Sequence, residues 1–349
     1  VAAILEGTAK VKIVALAPFP FVGAEFGGGE RIYNLLTRIQ SDVEVLVPHT
    51  GEIQAMTDKN LSIVGLPTLE TVRDKEWDLQ VIYSSKQVFG DVLQEINPDL
   101  TILEHPWQID AIDNQRFIYD AHNNETQMKK LIAKQEMVGE TERVETLALK
   151  ADHVTYCSKD DNLVSDSPMT LIPNGVNLPN EVNKAGLKSK MLLFVGSAHP
   201  PNIGAAMTLV QLAPALPDYE IVIAGQCSQF IRSESSNVRL LGHVNKTDLH
   251  QLFMNAHAFV NLMSVGSGTS LKVIKAISYG LPVISSPIGA RGYTSGCLIA
   301  RNAQEVLDWL ANLQSAMQYK TSSETNLEIA KSYSWDVLGA RFNEVVFST

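Results

Sequence analysis

A chain of 349 residues with 45% apolar side chains is long enough for one large or two ordinary domains around a sizeable core, which excludes a peptide, a fibre or a disordered tail. Its 38 acidic and 28 basic residues give a formal net charge of -10, so neither a nucleic-acid binder nor a broadly cationic membrane-surface protein is expected, since both need a positive field. The longest nearly apolar run, Ile13 to Ala24, is broken by Pro18 and Pro20 and falls short of the roughly 20 residues that span a bilayer.

Short apolar runs alternate with longer amphipathic stretches from end to end. Strand-like runs are Val11 to Ala17, Val43 to Val47, Asp99 to Leu103, Arg116 to Tyr119, His153 to Cys157, Leu192 to Val195, Glu220 to Ala224, Ala258 to Leu262 and Pro282 to Ser285. Helical patterns cover Gly29 to Gln40, Val88 to Ile96, Glu125 to Ala151, Asn202 to Leu216, Thr247 to Asn255, Thr269 to Tyr279 and Ala303 to Met317. Such βα alternation predicts parallel sheets covered by helices, with too many strands for one sheet. The PNGVNLPN stretch within Ile172 to Lys190 is the natural boundary, and no internal repeat is visible. Cut there, residues 1–172 carry 15 basic and 27 acidic side chains, and residues 173–349 carry 13 and 11. An anionic ligand would therefore meet less repulsion in the second half.

Ligands of doubly wound sheets bind at the carboxyl ends of strands. After the first strand, Gly27 to Glu30 (GGGE) opens a helix, either as a plain tight turn or as backbone that approaches phosphate or sugar oxygens. The loop VGSGTSLKVIK, Val265 to Lys275, has Gly266 and Gly268 before a helix expected to begin near Thr269. Lys272 in its first turn opposes the macrodipole, and Lys275 three residues on adds like-charge repulsion. Both penalties vanish beside a diphosphate; two solvated lysines are the plainer alternative. His105 in LEHPW and His122 in YDAHNNE each follow a strand, where an imidazole can donate to a sugar hydroxyl or phosphate, or be satisfied by backbone. Cys157, Cys227 and Cys297 form no CxxC pair, and neither D-x-D, HExxH nor GxSxG occurs. No metal, cofactor or disulfide framework is expected. With no basic-then-apolar leader in Val1 to Lys10, the expected location is cytoplasmic.

In this order, several motifs resemble the retaining family-4 glycosyltransferases of the GT-B fold. They are Gly27 to Gly29, ADHVTYCS (151–158), LIPNGVN (171–177), FVGSAHPPNIGA (194–205), IVIAG (221–225), VRLLGHV (238–244), GSGTSLKVIKAISYGLPVISSPIGARG (266–292) and SYSWDVLGARF (332–342). The resemblance covers nearly the whole chain and is specific for fold when the motifs are taken together. The VGS…PPN and GxGTxLK elements look like a branch whose members build bacterial cell-surface glycans, hence polysaccharide biosynthesis.

The resemblance implies an α/β chain of two Rossmann-like, doubly wound parallel-sheet domains facing a cleft. Residues 1–172 would form the acceptor side and residues 173–330 the nucleotide-sugar side; residues 331–349 would be a helix around Trp335 crossing back. Gly28 and Gly29 would approach the diphosphate. Gly196, Ser197, Gly266, Gly268, Thr269 and Ser270 would line the donor phosphates and sugar, His243 and Val244 would meet the nucleobase, and Lys275 would stand at the ribose. Lys272, neutralising phosphate charge, and His122, touching the donor sugar, are the expected catalytic residues. The chain departs from the family pattern at Lys275 and Ser267, both commonly glutamate, at Ser197 and Asn202, commonly Arg and Lys, and at Ser270, where this branch usually has arginine.

The expected activity is a metal-independent transfer of a sugar, with retention, from a nucleoside diphosphate to a glycan or lipid-linked acceptor, with peripheral membrane contact at Lys129, Lys130 and Lys134 not favoured. The alternative is a degenerate glycosyltransferase-like scaffold, a partner subunit of an active enzyme. A sugar-nucleotide epimerase is a weaker fit because no acidic pair stands out near the cleft.

Overall fold

The computed structural model describes residues 11–24, 26–49, 54–266 and 268–349; the stretch Val1 to Lys10 and the departure at Ser267 lie outside them. The chain divides into two compact units, one running to Ile172 and including Leu338–Thr349, the other Pro173–Val337.

The first unit contains β1 (Ile13–Leu16), α1 (Gly27–Leu36), β2 (Val43–His49), β3 (Gln54–Asp58), β4 (Leu61–Pro67), α2 (Trp77–Ser84), α3 (Asp91–Ile96), β5 (Leu100–Glu104), β6 (Phe117–Ala121), α4 (Glu125–Ile132), α5 (Gln135–Ala148), β7 (His153–Tyr156) and β8 (Met169–Leu171). These strands form one sheet in the order β3-β4-β2-β1-β5-β6-β7-β8, parallel except for the β3–β4 hairpin. β1 (IVAL) and β5 (LTILE) are buried throughout, the continuous apolar run expected of a parallel strand covered on both faces. This hairpin is not among the strand-like runs expected from the sequence. Its edge strand QAMTD has weak alternation, and Lys59 turns it at φ 55.

The predicted helix Glu125 to Ala151 is two helices. Ala133 and Lys134 are extended, and the chain folds back so that Glu145 of α5 accepts from the Glu125 and Thr126 amides at 2.8 and 2.9 Å. A carboxylate on those first-turn N–H groups replaces an intrahelical partner and complements the dipole. The three lysines here are paired: Lys129 with Asp78, Lys130 with Glu142 and Lys134 with Glu76. Among the described residues no helix is long and apolar enough to cross a membrane.

The second unit contains β9 (Met191–Val195), α6 (Pro200–Leu212), β10 (Glu220–Ala224), β11 (Val238–Gly242), α7 (Lys246–Asn255), β12 (Ala258–Asn261), α8 (Leu271–Ser278), β13 (Val283–Ser285), β14 (Cys297–Ile299), α9 (Ala303–Asn312) and α10 (Ala316–Ser332). The final helix, α11 (Trp335–Ser348), begins in this unit. Its six-stranded sheet is parallel, in the order β11-β10-β9-β12-β13-β14. Alternate residues face opposite sides: Leu192, Phe194, Ile221 and Val260 enter one core, while Leu193, Val222, Phe259 and Val283 enter the other. In α11, Trp335 is buried and its amide donates to Val176, inside this unit. From Leu338 on the helix belongs to the first unit, where Asn343 accepts from the Gln40 amide and Arg341 donates to Leu171.

One device recurs three times. Asn60, Asn183 and Asn237 each donate their side-chain amide to three backbone carbonyls: Leu36, Ile39 and Ser41; Phe253, Met254 and Ala256; Ala213, Leu216 and Tyr219. These carbonyls lie at or just past the ends of α1, α7 and α6, where helices leave acceptors unsatisfied.

Backbone proximity dictates glycine at Gly225. Its φ is +94, and a Cβ there would stand 2.2 Å from the Gly196 carbonyl oxygen. Gly225→Ala is expected to destabilise the second unit by at least about 2 kcal/mol, read by urea denaturation.

Candidate functional site

In the second unit, the segment after β12 turns through Gly266 (φ 157) and Gly268 (φ 62) into α8. The helix starts at Leu271 with Ser270 as its extended N-cap, two residues later than expected. The reason is local: Thr269 Oγ1 accepts from Asn174 Nδ2 at 2.8 Å, and the Ser270 amide donates to Arg291 O. Asn174 is itself held by Tyr293, whose hydroxyl donates to its carbonyl at 2.6 Å. The loop is tied from beneath by Arg291, which donates Nε to Gly268 O at 3.1 Å and Nη1 to Ile288 O at 2.8 Å. A Cβ at Gly266 would meet Arg291 Nη2 at 2.6 Å, so the backbone lies directly on the guanidinium.

Lys272 is in the first turn of α8, and its ammonium donates to Asn202 Oδ1. It also lies 3.9 Å from Met263 Sδ and 5.0 Å from the Phe194 ring centroid. Burial, with Arg291 nearby, lowers its pKa to about 8, and no carboxylate is among the groups acting on it. Ser197 and Asn202, where the family pattern has cations, form a relay instead: Asn202 Nδ2 donates to Ser197 Oγ at 3.0 Å while its Oδ1 holds Lys272. Gly196 lets Asn202 and Cys227 close in, since a Cβ there would be 2.8 Å from Asn202 Cβ. His199, which the sequence reading passed over, is close enough for Lys272 to help burial lower its pKa.

Lys275 lies 5.7 Å from the Tyr279 ring centroid. Tyr279 in turn meets His250 Nδ1 at 2.7 Å through its hydroxyl. His243, exposed, and Val244 occupy the turn between β11 and α7.

In the first unit, Gly28 and Gly29 belong to the first turn of α1 rather than to a preceding loop. A Cβ on Gly29 would stand 2.5 Å from Ala24 Cβ; one on Gly28 would be 3.0 Å from Phe19 and 3.7 Å from His122 Nδ1. The helix N-terminus and His122 therefore share a small space.

Behind His122 is a buried charge system. Asp120 accepts from Arg31 Nε at 2.8 Å and Nη2 at 2.6 Å, and from Thr155 Oγ1 at 2.6 Å. Burial opposes its ionisation, but Arg31 and the His122 hydrogen bond hold its carboxyl well below the usual range. Burial, then the charge of Asp120, pushes the Glu104 carboxyl well above the usual carboxylate range. His122 is kept neutral by burial, and its Nε2 faces Glu104 at 2.9 Å and Asp120 at 3.4 Å. The ionised Asp120 can only accept. His122 Nδ1 has no partner among the described residues and is the ring nitrogen left for a ligand.

His105 joins this site although sequence reasoning ranked it below His122. Its ring centroid is 4.1 Å from that of His122 and 4.9 Å from Trp107. Its Nδ1 lies 3.0 Å from Glu125 Oε1, and its buried Nε2 has no partner among the described residues. Burial alone would raise Glu125, yet its bond with His105 brings it to about 2. His105 also has φ 73 and ψ 156, a conformation nearly confined to glycine that costs about 1–3 kcal/mol. No sequence signal announced that strain.

Glu104, Asp120 and His122 offer three metal-ligand atoms within 4.8 Å of one another, and form the acidic pair the sequence did not disclose. Asp120 is neutralised by Arg31 and fully engaged, so the donor set fits a charge-balanced support for His122 rather than a cation cage.

Residues 189–315 match the family model for glycosyl transferases group 1. No curated protein matches the chain. Sucrose-phosphate synthase from Thermosynechococcus elongatus is similar at 15% identity and TM-score 0.75, over 97% of this chain and 99% of that one. The Anabaena protein HepE, solved with UDP and glucose, has 12% identity and TM-score 0.69, over 97% and 100%. A UDP-forming α,α-trehalose-phosphate synthase from Burkholderia vietnamiensis has 9% identity and TM-score 0.70, again over 97% and 100%. The fold is GT-B, with two parallel-sheet units.

Proposed function

We propose that the protein is a retaining, metal-independent glycosyltransferase of the family-4 type that moves a hexosyl group from a nucleoside diphosphate to a hydroxyl of a neutral glycan or lipid-linked acceptor. The observation that carries this reading is Lys272. A largely buried ammonium at a helix N-terminus, behind a glycine loop and without a carboxylate acting on it, is a place prepared for an anion. A departing diphosphate fits, because Lys272 and the first-turn amides of α8 would stabilise charge as the glycosidic bond breaks. The departing phosphate can itself accept the acceptor proton, so no side-chain nucleophile is required. His122 Nδ1 and His105 Nε2 would hydrogen-bond sugar hydroxyls. The relatives solved with UDP make a uridine nucleotide the first donor to test. A cytoplasmic setting suits three free cysteines, two of them buried.

Lys275 in place of the family glutamate favours a second reading, the donor-free scaffold acting as a subunit. Calorimetric titration with uridine, guanosine and adenosine diphosphates separates the two. Binding of one of them is expected; silence of all three at millimolar concentration would select the scaffold. Lys275→Glu is a companion test. It should raise nucleotide affinity about tenfold if a ribose acceptor is restored, in line with a charge-assisted hydrogen bond. A fall in affinity would give Lys275 its own role at the site.

A further inference from the structure

Away from the glycine loop, β14, α9 and α10 line a half-open pocket of about 210 Å³ that has no charged residue in its lining. Helix α10 contributes Gln318, Thr321, Ser322 and Thr325, at the i, i+3, i+4, i+7 spacing that places side chains on one helix face. This stripe is set apart from the charged residues of α10, which pair among themselves as Lys320–Glu324 and Lys331–Glu328. It is also distinct from the core-facing Tyr319 and Ala330. Ser and Thr are indifferent helix formers; here Thr321 and Thr325 are exposed, and the three hydroxyls make no hydrogen bond to another described residue, which leaves them open to water or a ligand. From α9 come Asn312, whose side chain is likewise unengaged, and Trp309. The indole is fixed by its Nε1, which donates to Ile299 O at 2.9 Å.

An aromatic ring held in place beside a ring of unengaged hydroxyls and amides has the chemistry of a neutral sugar site. The C–H face of a pyranose would lie on the indole, and its hydroxyl rim would find donors and acceptors without any ion being desolvated. We propose that this cavity binds one residue of a neutral glycan, as a second carbohydrate site of the protein. It shares no residue with the Lys272 cluster and does not depend on the donor being a nucleotide. A charged rim adjoins it at Arg301, Glu305 and Asp308, so an anionic sugar has no preference for the interior.

Saturation-transfer NMR on the full chain tests this with the methyl glycosides of glucose, galactose, mannose and N-acetylglucosamine, and with glycerol as a small polyol. At least one glycoside should bind in the millimolar range, well above glycerol. Thr325 is exposed, so Thr325→Arg should leave the thermal melt unchanged while weakening that binding about tenfold or more. Lys272→Ala should leave it intact. No transfer to any glycoside, a glycerol signal equal to the sugars, or undiminished binding in Thr325→Arg overturns the proposal.

Discussion

Lys272→Met is expected to make the protein more stable and nearly inactive. In the folded chain the ammonium titrates at about 8 rather than 10.5, chiefly because of burial. A lysine with a lowered folded pKa costs stability, fully below pH 8 and progressively less as pH rises towards 10.5. At about 1.4 kcal/mol per pH unit, methionine should relieve up to about 3 kcal/mol at pH 7 and almost nothing at pH 11, read from urea denaturation at both values. Turnover should fall about a hundredfold, as for loss of one transition-state donor. A diphosphate beside Lys272 would raise its pKa, so nucleotide affinity in the unaltered protein should decline as pH climbs above 8. Lys272→Arg, which stays charged, should flatten that decline. Methionine lowering stability with no loss of turnover would show a purely structural lysine.

Arg31→Leu should have the largest effect on folding. It leaves the fully buried Asp120 beside Glu104 without the guanidinium that holds it ionised. Breaking a buried pair on one side costs about 3–5 kcal/mol. Hydrogen exchange of β6 should therefore accelerate strongly, while strands of the second unit keep their protection. Arg31→Leu combined with Asp120→Asn should be less damaging than the sum of the two, because the stranded charge is gone. Glu104 works in the opposite pH sense. Its raised pKa means that stability is lost as pH rises towards the folded value, and Glu104→Gln, which mimics the protonated form, should remove that loss.

The parallel cores were legible because buried strands such as IVAL, MLLFV and EIVIA are continuous apolar runs. The hairpin β3–β4 and helix α10 were missed for the same physical reason. An edge strand and a helix with an uncharged polar stripe carry little hydrophobic periodicity. Lys272 was legible because glycines before a helix and a cation in its first turn make a local pattern. Its surroundings were not, since Asn202 lies 70 residues away in the chain. At Ser197 and Asn202 the sequence showed only cations lost, whereas the structure shows the groups that aim the remaining one. The reading of His105 stayed open between ligand contact and backbone satisfaction because its glycine-like backbone and the closeness of its ring to His122 are properties of space, not of the LEHPW string.

The three asparagines that each grip three carbonyls expose the protein to a particular kind of ageing. Spontaneous hydrolysis of an asparagine amide gives an aspartate of nearly the same shape, but it turns the donor into an acceptor pointed at three other acceptors. At Asn60, Asn183 or Asn237 this would change the mass by a single unit and set like partial charges against each other at the end of a helix. A molecule in which one of these three has converted should therefore unfold at a lower urea concentration than the unaltered protein.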